Sequence, residues 1–167
     1  MPTQQQDFER IAWPHLAALL RVARRLTFDL TTAEDLVQQT MLLAWRGFRG
    51  FQAGTNARAW LFRILFNEFH GQGRKAALAG LPAPVEERVQ HGSLQPGLQE
   101  AAEIGEALDA LAVEQRAVLM LCVVEGFTCR EAAEILDVPI GTVMSRLSRA
   151  RGEMRKALAP LAKEAYR

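Results

Sequence analysis

Apolar residues recur at helical spacing along most of the chain, and hardly any stretch alternates apolar and polar residues as a β-strand would. This pattern predicts helices over residues 7–28, 31–48 and 57–70 of the N-terminal half. Pro14 should bend the first of these helices or mark its true start, because proline cannot continue the hydrogen-bond ladder of a helix interior. The predicted N-caps are Thr31 or Thr32 for the second helix and Asn56 for the third.

The helical pattern fails between residues 71 and 99, where glycine and proline interrupt every possible element. A structureless segment of this length is uncommon inside one compact domain, so it indicates two domains. Beyond it, helical spacing returns over residues 100–111, 116–125, 128–136 and 141–158. We therefore predict an all-α protein with a first domain of residues 1–75, a flexible linker of residues 76–99, and a second domain of four short helices, residues 100–167.

The most informative stretch is residues 126–151, which predicts a helix-turn-helix. Thr128 can cap its first helix, and residues 137–141 (Asp-Val-Pro-Ile-Gly) are typical of a tight turn. At about 100° per residue, the apolar side of the second helix holds Val143, Leu147, Ala150 and Met154. Its opposite side holds Ser145, Ser148, Arg149 and Gly152. Short side chains there would let the helix backbone approach the base edges in a DNA groove.

The chain carries 20 basic and 19 acidic side chains, so a polyanionic partner must be met by a local patch of charge. Residues 142–156 supply such a patch, because they contain five basic residues and one acidic residue. Arg149 is the best candidate for reading a base, since a guanidinium can donate two hydrogen bonds to guanine. Thr142, Arg146 and Arg151 are predicted to contact phosphates, which would fix the register without reading sequence. A solvated basic face on an ordinary helix is the alternative interpretation.

Several classes of function find no support in the sequence. The longest apolar run, residues 117–124, is too short to span a bilayer, and the N-terminus lacks a leader pattern, so we expect a soluble cytoplasmic protein. Cys122 and Cys129 fit no metal-ligand pattern and are predicted to be reduced, structural thiols. Paired carboxylates, metal-ligand sets and activated nucleophiles do not occur at recognisable spacings, so we predict no catalysis, no cofactor and no metal.

Two groups of motifs together resemble one protein family. In the N-terminal half they are residues 33–40 (Ala-Glu-Asp-Leu-Val-Gln-Gln-Thr) and 59–67 (Ala-Trp-Leu-Phe-Arg-Ile-Leu-Phe-Asn), with Arg74 and Lys75 beyond. In the C-terminal half they are residues 111–121, 125–128 and 139–151. In these stretches the chain is similar to the extracytoplasmic-function sigma factors of the sigma-seventy superfamily. The second group alone is shared with other regulators, but the ordered pair at this length is specific to that family.

The resemblance implies a sigma2-like three-helix domain that opens and reads the minus-ten promoter element, and a sigma4-like domain that reads the minus-thirty-five element. It also implies three partners, namely core RNA polymerase with its clamp coiled coil and flap, promoter DNA, and an anti-sigma factor. The residues implied to bind the minus-ten element are Phe51, Arg63, Asn67, Arg74 and Lys75. Those implied at minus-thirty-five are Thr142, Met144, Ser145, Arg146, Ser148, Arg149 and Arg151. Those implied to bind the polymerase clamp are Glu34, Asp35, Gln38, Gln39 and Leu42.

The chemistry of the first domain fits the implied opening of the strands. A flipped base is held by hydrogen bonds to its edge and by aromatic neighbours. Arg63 and Asn67 are one helical turn apart on a face shared with Trp60, and Phe51 could close a pocket from the preceding loop. Trp60 could equally be a core residue, whereas the amide of Asn67, in an apolar run, is expected to need a partner.

The second predicted helix has a surface suited to a protein partner. Its predicted buried stripe consists of Val37, Met41, Ala44, Trp45 and Phe48. Leu42 and Leu43 lie outside that stripe, beside acidic and amide side chains. Leucines on a polar surface favour a protein interface over a plain solvated face.

Two other functional classes remain open. A sigma mimic would share this fold and sequester an anti-sigma factor without binding DNA, but it would normally lose the groove-facing arginines that this chain keeps. A dimeric helix-turn-helix repressor would need a dimerisation surface and a palindromic site, and it would leave the N-terminal motifs unexplained. We expect no further domain after Arg167, so an inhibitor would be a separate protein or would use the linker.

Overall fold

The described part of the chain is built from helices and turns. A computed structural model describes the backbone of residues 3–80 and 96–165, with side chains for residues 3–80 and 99–160. These residues contain no strand. They form two compact units, of which one consists of residues 3–80 with residues 133–137 and the other of residues 96–132 with residues 138–165. The predicted all-α fold with two helical domains is therefore confirmed.

The first unit begins with two helices that are separated by one turn of 3-10 helix. They are α1 (Gln4–Ala12) and α2 (Leu16–Thr27), with the 3-10 turn at Trp13–His15. Pro14 lies in that turn, so the predicted interruption of the first helix is confirmed. The helix begins earlier than predicted, because the side chains of Thr3 and Gln6 cap it reciprocally.

α3 covers Leu30–Gly47, and its N-cap is Asp29 instead of the predicted Thr31 or Thr32. The Asp29 carboxylate accepts hydrogen bonds from the hydroxyl of Thr32 at 2.6 Å and from its backbone N–H at 2.7 Å. These two hydrogen bonds lower the pKa of the Asp29 carboxyl. The cap is therefore complete at neutral pH, and its stabilising effect is lost as the pH falls through the lowered pKa.

The core of the first unit forms where α3 packs against α2 and α4. Its α3 side consists of Ala33, Leu36, Val37, Thr40 and Ala44. Of the other residues in the predicted stripe, Met41 and Phe48 are half-buried and Trp45 is 37% exposed. The stripe is displaced because α3 contacts helices on two sides, so its buried face is wider than one row of apolar residues.

α4 covers Ala57–Leu78 and is the longest helix of the first unit. Its predicted cap is confirmed, since the Asn56 side chain accepts a hydrogen bond from the backbone N–H of Ala59 at 3.0 Å. We predicted that the helix would end at His70 or a little beyond, and it continues through the two following glycines for about two further turns.

The predicted linker is shorter than residues 76–99. α4 extends into it from one side, and α5 (Pro96–Asp109) begins inside it on the other. The sequence pattern did not predict the end of α4 or the start of α5, because glycine and proline interrupt the apolar pattern without necessarily interrupting the helix. The middle of the predicted linker, residues 81–95, lies outside the described residues.

The described residues after residue 95 contain four α-helices, as predicted. After α5 come α6 (Val113–Leu119) with a π-helical turn at Met120–Val124, α7 (Cys129–Leu136) and α8 (Ile140–Ala165). α8 packs against α5 and α6, and its 26 residues make it long instead of short. Thr128 caps α7 as predicted, because its hydroxyl accepts a hydrogen bond from the Glu131 backbone N–H at 3.2 Å.

A buried arginine stabilises the start of α6. Arg116 is 1% exposed, and its Nη2 donates a hydrogen bond of 2.8 Å to the backbone carbonyl oxygen of Leu111. Burying a guanidinium costs free energy unless it is hydrogen-bonded, so this contact contributes to the stability of the unit. The apolar pattern does not predict it, since a single arginine in a helix is usually on the surface.

Replacing Arg116 with methionine should therefore destabilise the second unit. The change removes a charged donor from a buried carbonyl oxygen, and we expect it to lower the unfolding free energy by about 1–3 kcal/mol. All three tryptophans, Trp13, Trp45 and Trp60, belong to the first unit, so their fluorescence reports that unit alone. Urea unfolding followed by circular dichroism should shift while the fluorescence transition stays in place. Equal shifts of both signals would contradict the assignment.

Candidate nucleic-acid and protein interfaces

α7 and α8 form the predicted helix-turn-helix. The turn between them places Asp137 in the left-handed region at φ 53°. The backbone N–H groups of Thr142 and Val143 then donate to the carbonyl oxygen of Pro139 at 2.9 and 3.2 Å. α8 therefore begins directly after the turn, with its first residues held in helical geometry.

α8 has a buried side and an exposed side. The buried side holds Val143, Leu147 and Ala150, which are at most 6% exposed. The exposed side holds Ser145, Ser148 and Arg149. Gly152 and Met154, predicted on opposite sides, are both half-buried. The division predicted from helical spacing is thus confirmed over the first three turns and becomes less distinct beyond them.

The basic residues of α8 lie at different angles around the helix. At about 100° per residue, Arg146 lies about 60° from Arg149, on the edge of the exposed side. Arg151 lies about 160° from Arg149. It is close enough to the thiol of Cys122 to influence its charge. Met144 is 57% exposed on the same side as Arg151. The predicted DNA-binding residues of α8 therefore do not share one face.

The positive charge that α8 offers to a partner comes mainly from its arginines. Lys156 pairs with Glu153 at 3.0 Å, and both side chains are exposed. Arg155 is exposed, like Arg149, whereas Arg146 is half-buried. Because the negative charge of Glu153 offsets the positive charge of Lys156, the net positive charge of α8 comes mainly from its arginine side chains.

α4 carries a second set of polar and basic residues, opposite the core. Its buried side holds Leu61, Phe62, Leu65 and Phe66. Because the helix continues to Leu78, Trp60, Arg63, Asn67 and Arg74 fall within about 60° of one another on the opposite side. We call these four residues the α4 stripe, and they extend along about 21 Å of helix. Lys75 lies at its edge and is exposed, as are Arg63, Asn67 and Arg74.

Aromatic rings lie at one end of the α4 stripe. The ring centroids of Phe51 and Trp60 are 4.7 Å apart, with 39° between the ring planes, and both residues are half-buried. Phe51 also stacks on Phe48 at 5.9 Å with an angle of 10°. Trp60 is therefore packed by its neighbour but still partly accessible. Asn67 is exposed, so its amide is accessible to water or to a binding partner, and the expectation that it needs a partner stays a prediction.

An open groove lies between α3 and α4 in the first unit. Its lining residues are Asp35, Gln38, Gln39 and Leu42 from α3, and Glu68 and Gln72 from α4. Leu42 is 41% exposed, as predicted, but Leu43 is half-buried and Glu34 is exposed outside the lining. The groove combines two carboxylates, several amides and an apolar side chain. Such a surface suits a protein partner that offers basic and apolar groups.

Glu68 and Gln72 were not predicted as members of this surface. They lie one helical turn apart on α4, and Nε2 of Gln72 donates to Oε1 of Glu68 at 3.0 Å. Glu68 lay within the predicted helix but was not recognised as part of this surface. Gln72 could have been included only if the helix had been extended, which the glycines at 71 and 73 discouraged.

The residues that the structure describes offer neither a membrane-spanning helix nor a metal site. Among them, no helix is long and apolar enough to cross a bilayer. No group of three or more histidine, cysteine, aspartate or glutamate side chains within the described ranges could hold a metal ion.

Each unit matches a different region of one family. Residues 14–77 match Sigma-70 region 2, and residues 101–154 match Sigma-70, region 4. The first match contains the α4 stripe and the groove, and the second contains the helix-turn-helix.

Curated relatives extend the similarity along the chain. The ECF RNA polymerase sigma factor EcfG of Rhodopseudomonas palustris is 34% identical over 139 residues, covering 82% of this chain and 77% of the relative. This chain belongs to the ECF sigma factors. The ECF RNA polymerase sigma factor SigE of Mycolicibacterium smegmatis is 34% identical over 165 residues, covering 92% of this ECF sigma factor but 62% of SigE. The chain therefore spans less than two thirds of that relative's length.

Solved structures are also similar to this ECF sigma factor. The sigma factor RpoE, solved in complex with the anti-sigma factor NepR from Bartonella quintana, is 36% identical with a TM-score of 0.75. The match covers 92% of this chain and 97% of that chain. The anti-anti-sigma factor PhyR, solved with NepR from the same organism, is 20% identical with a TM-score of 0.56, covering 88% of this chain and 48% of PhyR. At this identity, the similarity to PhyR shows only that the two chains share a fold.

Proposed function

We propose that this ECF sigma factor directs core RNA polymerase to specific promoters and assists their opening in the cytoplasm, without catalysing a reaction itself. The proposal is carried by the exposed side of α8 around Arg149, which belongs to a helix-turn-helix in a chain related to RNA polymerase sigma factors. In DNA-binding proteins of this kind the second helix enters the major groove.

At the minus-thirty-five element, Arg149 would read a base from the exposed side of α8. Ser145 and Ser148 beside it are short enough to let the helix backbone approach the base edges. Arg146, on the edge of that side, and Thr142, at the start of the helix, would contact phosphates and fix the register. Met144 and Arg151 lie around the helix from Arg149, so we assign them a smaller part in base recognition.

At the minus-ten element, the α4 stripe would bind the separated strand. Its arginines, together with Lys75, would contact phosphates, and their spacing along about 21 Å would allow them to follow several nucleotides. Phe51 and Trp60 would stack an unstacked base, and Asn67 would offer hydrogen bonds to a base edge. The accessible amide of Asn67 supports this role, because it is not committed to the core.

The groove between α3 and α4 would bind the clamp coiled coil of core polymerase. Asp35 and Glu68 would attract basic side chains of the partner, and Leu42 would supply the apolar contact. Glu34 lies beside the groove, so we assign it a contact at the rim.

The proposal is tested by adding the purified chain to core polymerase with a library of promoter fragments. We expect new transcripts that share upstream sequence motifs at minus ten and minus thirty-five. Absence of transcription, together with tight binding to an anti-sigma factor and none to DNA, would favour the sigma mimic. The retained arginines of α8 argue against that alternative.

Arg149→Ala should relax sequence preference at one base pair of the minus-thirty-five element. We expect a loss of roughly 1–3 kcal/mol for the preferred base, because its two hydrogen bonds to the guanidinium disappear. Arg146→Ala should weaken binding evenly across sequences and reduce the salt dependence by about one phosphate contact. Fluorescence anisotropy with single-base variants of the element at several salt concentrations measures both effects.

Arg155→Ala is the matched control for these variants. It removes the same charge from another exposed position of α8, so it should change affinity less than Arg146→Ala and leave base preference unchanged. Equal, sequence-independent losses from Arg149→Ala and Arg146→Ala would refute the assignment of Arg149 to base reading.

The double variant Asp35→Arg with Gln38→Ala should abolish binding to core polymerase while preserving helicity, since both side chains are exposed. Glu68→Lys alone should weaken the same binding by about tenfold or more, because it reverses a charge across the groove. Glu9→Arg, a charge reversal on α1 outside the groove, serves as the control. Normal binding of the double variant to core in a pull-down or by anisotropy would show that the partner sits elsewhere.

We also propose that an anti-sigma factor covers the same groove. The proposal rests on the relative RpoE, which is described in complex with NepR, and on the acidic, partly apolar character of the groove. Core polymerase and the inhibitor should then compete for the chain, and groove variants should weaken both. A stable ternary complex of chain, inhibitor and core would contradict the overlap while leaving the sigma function standing.

A further inference from the structure

A row of aromatic rings connects α1 with the α4 stripe. The ring of Phe8, on α1, contacts the ring of Phe48, with the two ring centroids 5.3 Å apart. Phe48 stacks on Phe51, and Phe51 contacts Trp60 of the α4 stripe. We call Phe8, Phe48, Phe51 and Trp60 the aromatic row. It joins α1, the turn after α3, the following loop and α4 within the first unit.

Phe8 is the buried end of the aromatic row. It is 6% exposed, and its ring meets the rings of Phe48 and Trp45 at interplanar angles of 79° and 70°. Edge-to-face contact of this kind is a favoured geometry for aromatic pairs and restricts the relative orientation of the rings. Phe48 and Phe51 are half-buried. The row therefore runs from a ring held in the core to rings that a partner can reach.

The ring of Phe51 depends on its aromatic neighbours for its orientation. The backbone N–H of Phe51 donates to the carbonyl oxygen of Phe48 at 3.0 Å, which closes the 3-10 turn Phe48–Gly50. This hydrogen bond fixes the backbone but not the side chain, which can still rotate about χ1. The next residues, 52–56, are exposed. Stacking on Phe48 and contact with Trp60 therefore hold the ring of Phe51.

Trp60 has a support that is separate from Phe8. Its backbone belongs to α4, and a Cβ at Gly47 would lie 4.0 Å from Cζ2 of the indole, so the indole packs against the end of α3. Phe48 lies in the 3-10 turn, and its ring is held edge-on by Phe8. A change at Phe8 therefore reaches Phe51 through Phe48, while Trp60 stays anchored in α4.

We propose that Phe8 is a positioning residue for the minus-ten site, because it holds Phe48 in the orientation on which Phe51 stacks. The proposal rests on the proposed function, in which Phe51 and Trp60 stack an unstacked base. A ring that is already oriented binds a base more tightly, because ordering a mobile side chain on binding costs free energy. Phe8 itself touches no nucleotide. It lies on α1, outside residues 14–77, which match Sigma-70 region 2.

Replacing Phe8 with leucine tests the role of its ring. Leucine keeps an apolar side chain in the core but removes the edge-to-face contact with Phe48. The probe is a fluorescent single-stranded oligonucleotide with the minus-ten sequence of a promoter that the natural holoenzyme transcribes. We expect holoenzyme containing Phe8→Leu to bind it about threefold or more weakly in an anisotropy titration. Binding to core polymerase should be unchanged, since none of the groove-lining residues belongs to the aromatic row.

Variants of Phe48 separate the ring from the position. Phe48→Leu should weaken oligonucleotide binding as Phe8→Leu does, whereas Phe48→Tyr should retain the natural affinity, because its ring can stack and its hydroxyl can reach water from a half-buried site. Circular dichroism verifies that each variant is folded. Equal affinities of the leucine and tyrosine variants would overturn the proposal, since the ring would then have no effect on the site.

Val22→Ala is the matched control for a general loss of stability. Val22 is fully buried on α2 and is not part of the aromatic row, so alanine there destabilises the same unit without touching the rings. Its holoenzyme should bind the oligonucleotide with the natural affinity. Equal losses from Phe8→Leu and Val22→Ala would overturn the proposal, because reduced stability alone would then explain both.

The fluorescence of Trp60 tests the positioning without nucleic acid. Trp13→Phe combined with Trp45→Phe leaves Trp60 as the single tryptophan and keeps an aromatic ring beside Phe8. In this background Phe8→Leu should raise the acrylamide quenching constant of Trp60, because a mobile Phe51 covers the indole less, whereas Val22→Ala should leave it unchanged. An unchanged constant in Phe8→Leu would overturn the proposal. Failure of the natural holoenzyme to bind the oligonucleotide would instead overturn the proposed function, and with it the roles of Phe51 and Phe8.

Discussion

The surfaces of the first unit depend on α4 being one continuous helix. One helix of 22 residues presents its apolar side to the core, Glu68 and Gln72 to the groove, and the α4 stripe to solvent. A break at Gly71 would remove Gln72 from the groove and Arg74 from the stripe.

Two glycines lie in the interior of α4, and each glycine in a helix interior costs about 1 kcal/mol relative to alanine. A Cβ at Gly71 or Gly73 would meet nothing within 4 Å, so close packing does not require either glycine. The helix persists across them, and the hydrogen bond from Gln72 to Glu68 spans the first.

The same helix separates charges of opposite sign. Glu68 lies about 140° around α4 from Arg63, so the acidic groove and the basic stripe occupy different sides of the unit. A chain with a net charge of +1 therefore carries an acidic surface and a basic surface at the same time. Composition averages over both surfaces, which explains why the net charge reveals neither of them.

Features that follow from local chemistry could be predicted from the sequence. Helical spacing gave the fold class, and the caps at Asn56 and Thr128 were identified because each offers a side-chain oxygen to the first turn. The Asp29 cap was missed because Thr31 and Thr32 offer the same chemistry two and three residues later, and only the backbone conformation decides between them. The continuation of α4 was missed because glycine and proline lower helix propensity without preventing a helix that tertiary contacts support.

Contacts between distant or differently shaped segments could not be predicted. The burial of Arg116 depends on the carbonyl oxygen of Leu111, which becomes a partner only once the chain turns before α6. This contact does not recur at a regular spacing along the chain, so a pattern of apolar and polar residues contains no signal for it.

The rotation of α8 about its axis determines on which side of the helix each of its arginines lies. Val143, Leu147 and Ala150 are buried against the rest of the unit, and a helix held by three such residues cannot turn about its axis without exposing them. That rotation presents Arg149 on the same exposed side as Ser145 and Ser148. A count of basic residues treats Arg149 and Arg151 as equivalent, although they differ by about 160° around the helix. Under the proposed function, the apolar residues beneath α8 would therefore decide which guanidinium reaches a base.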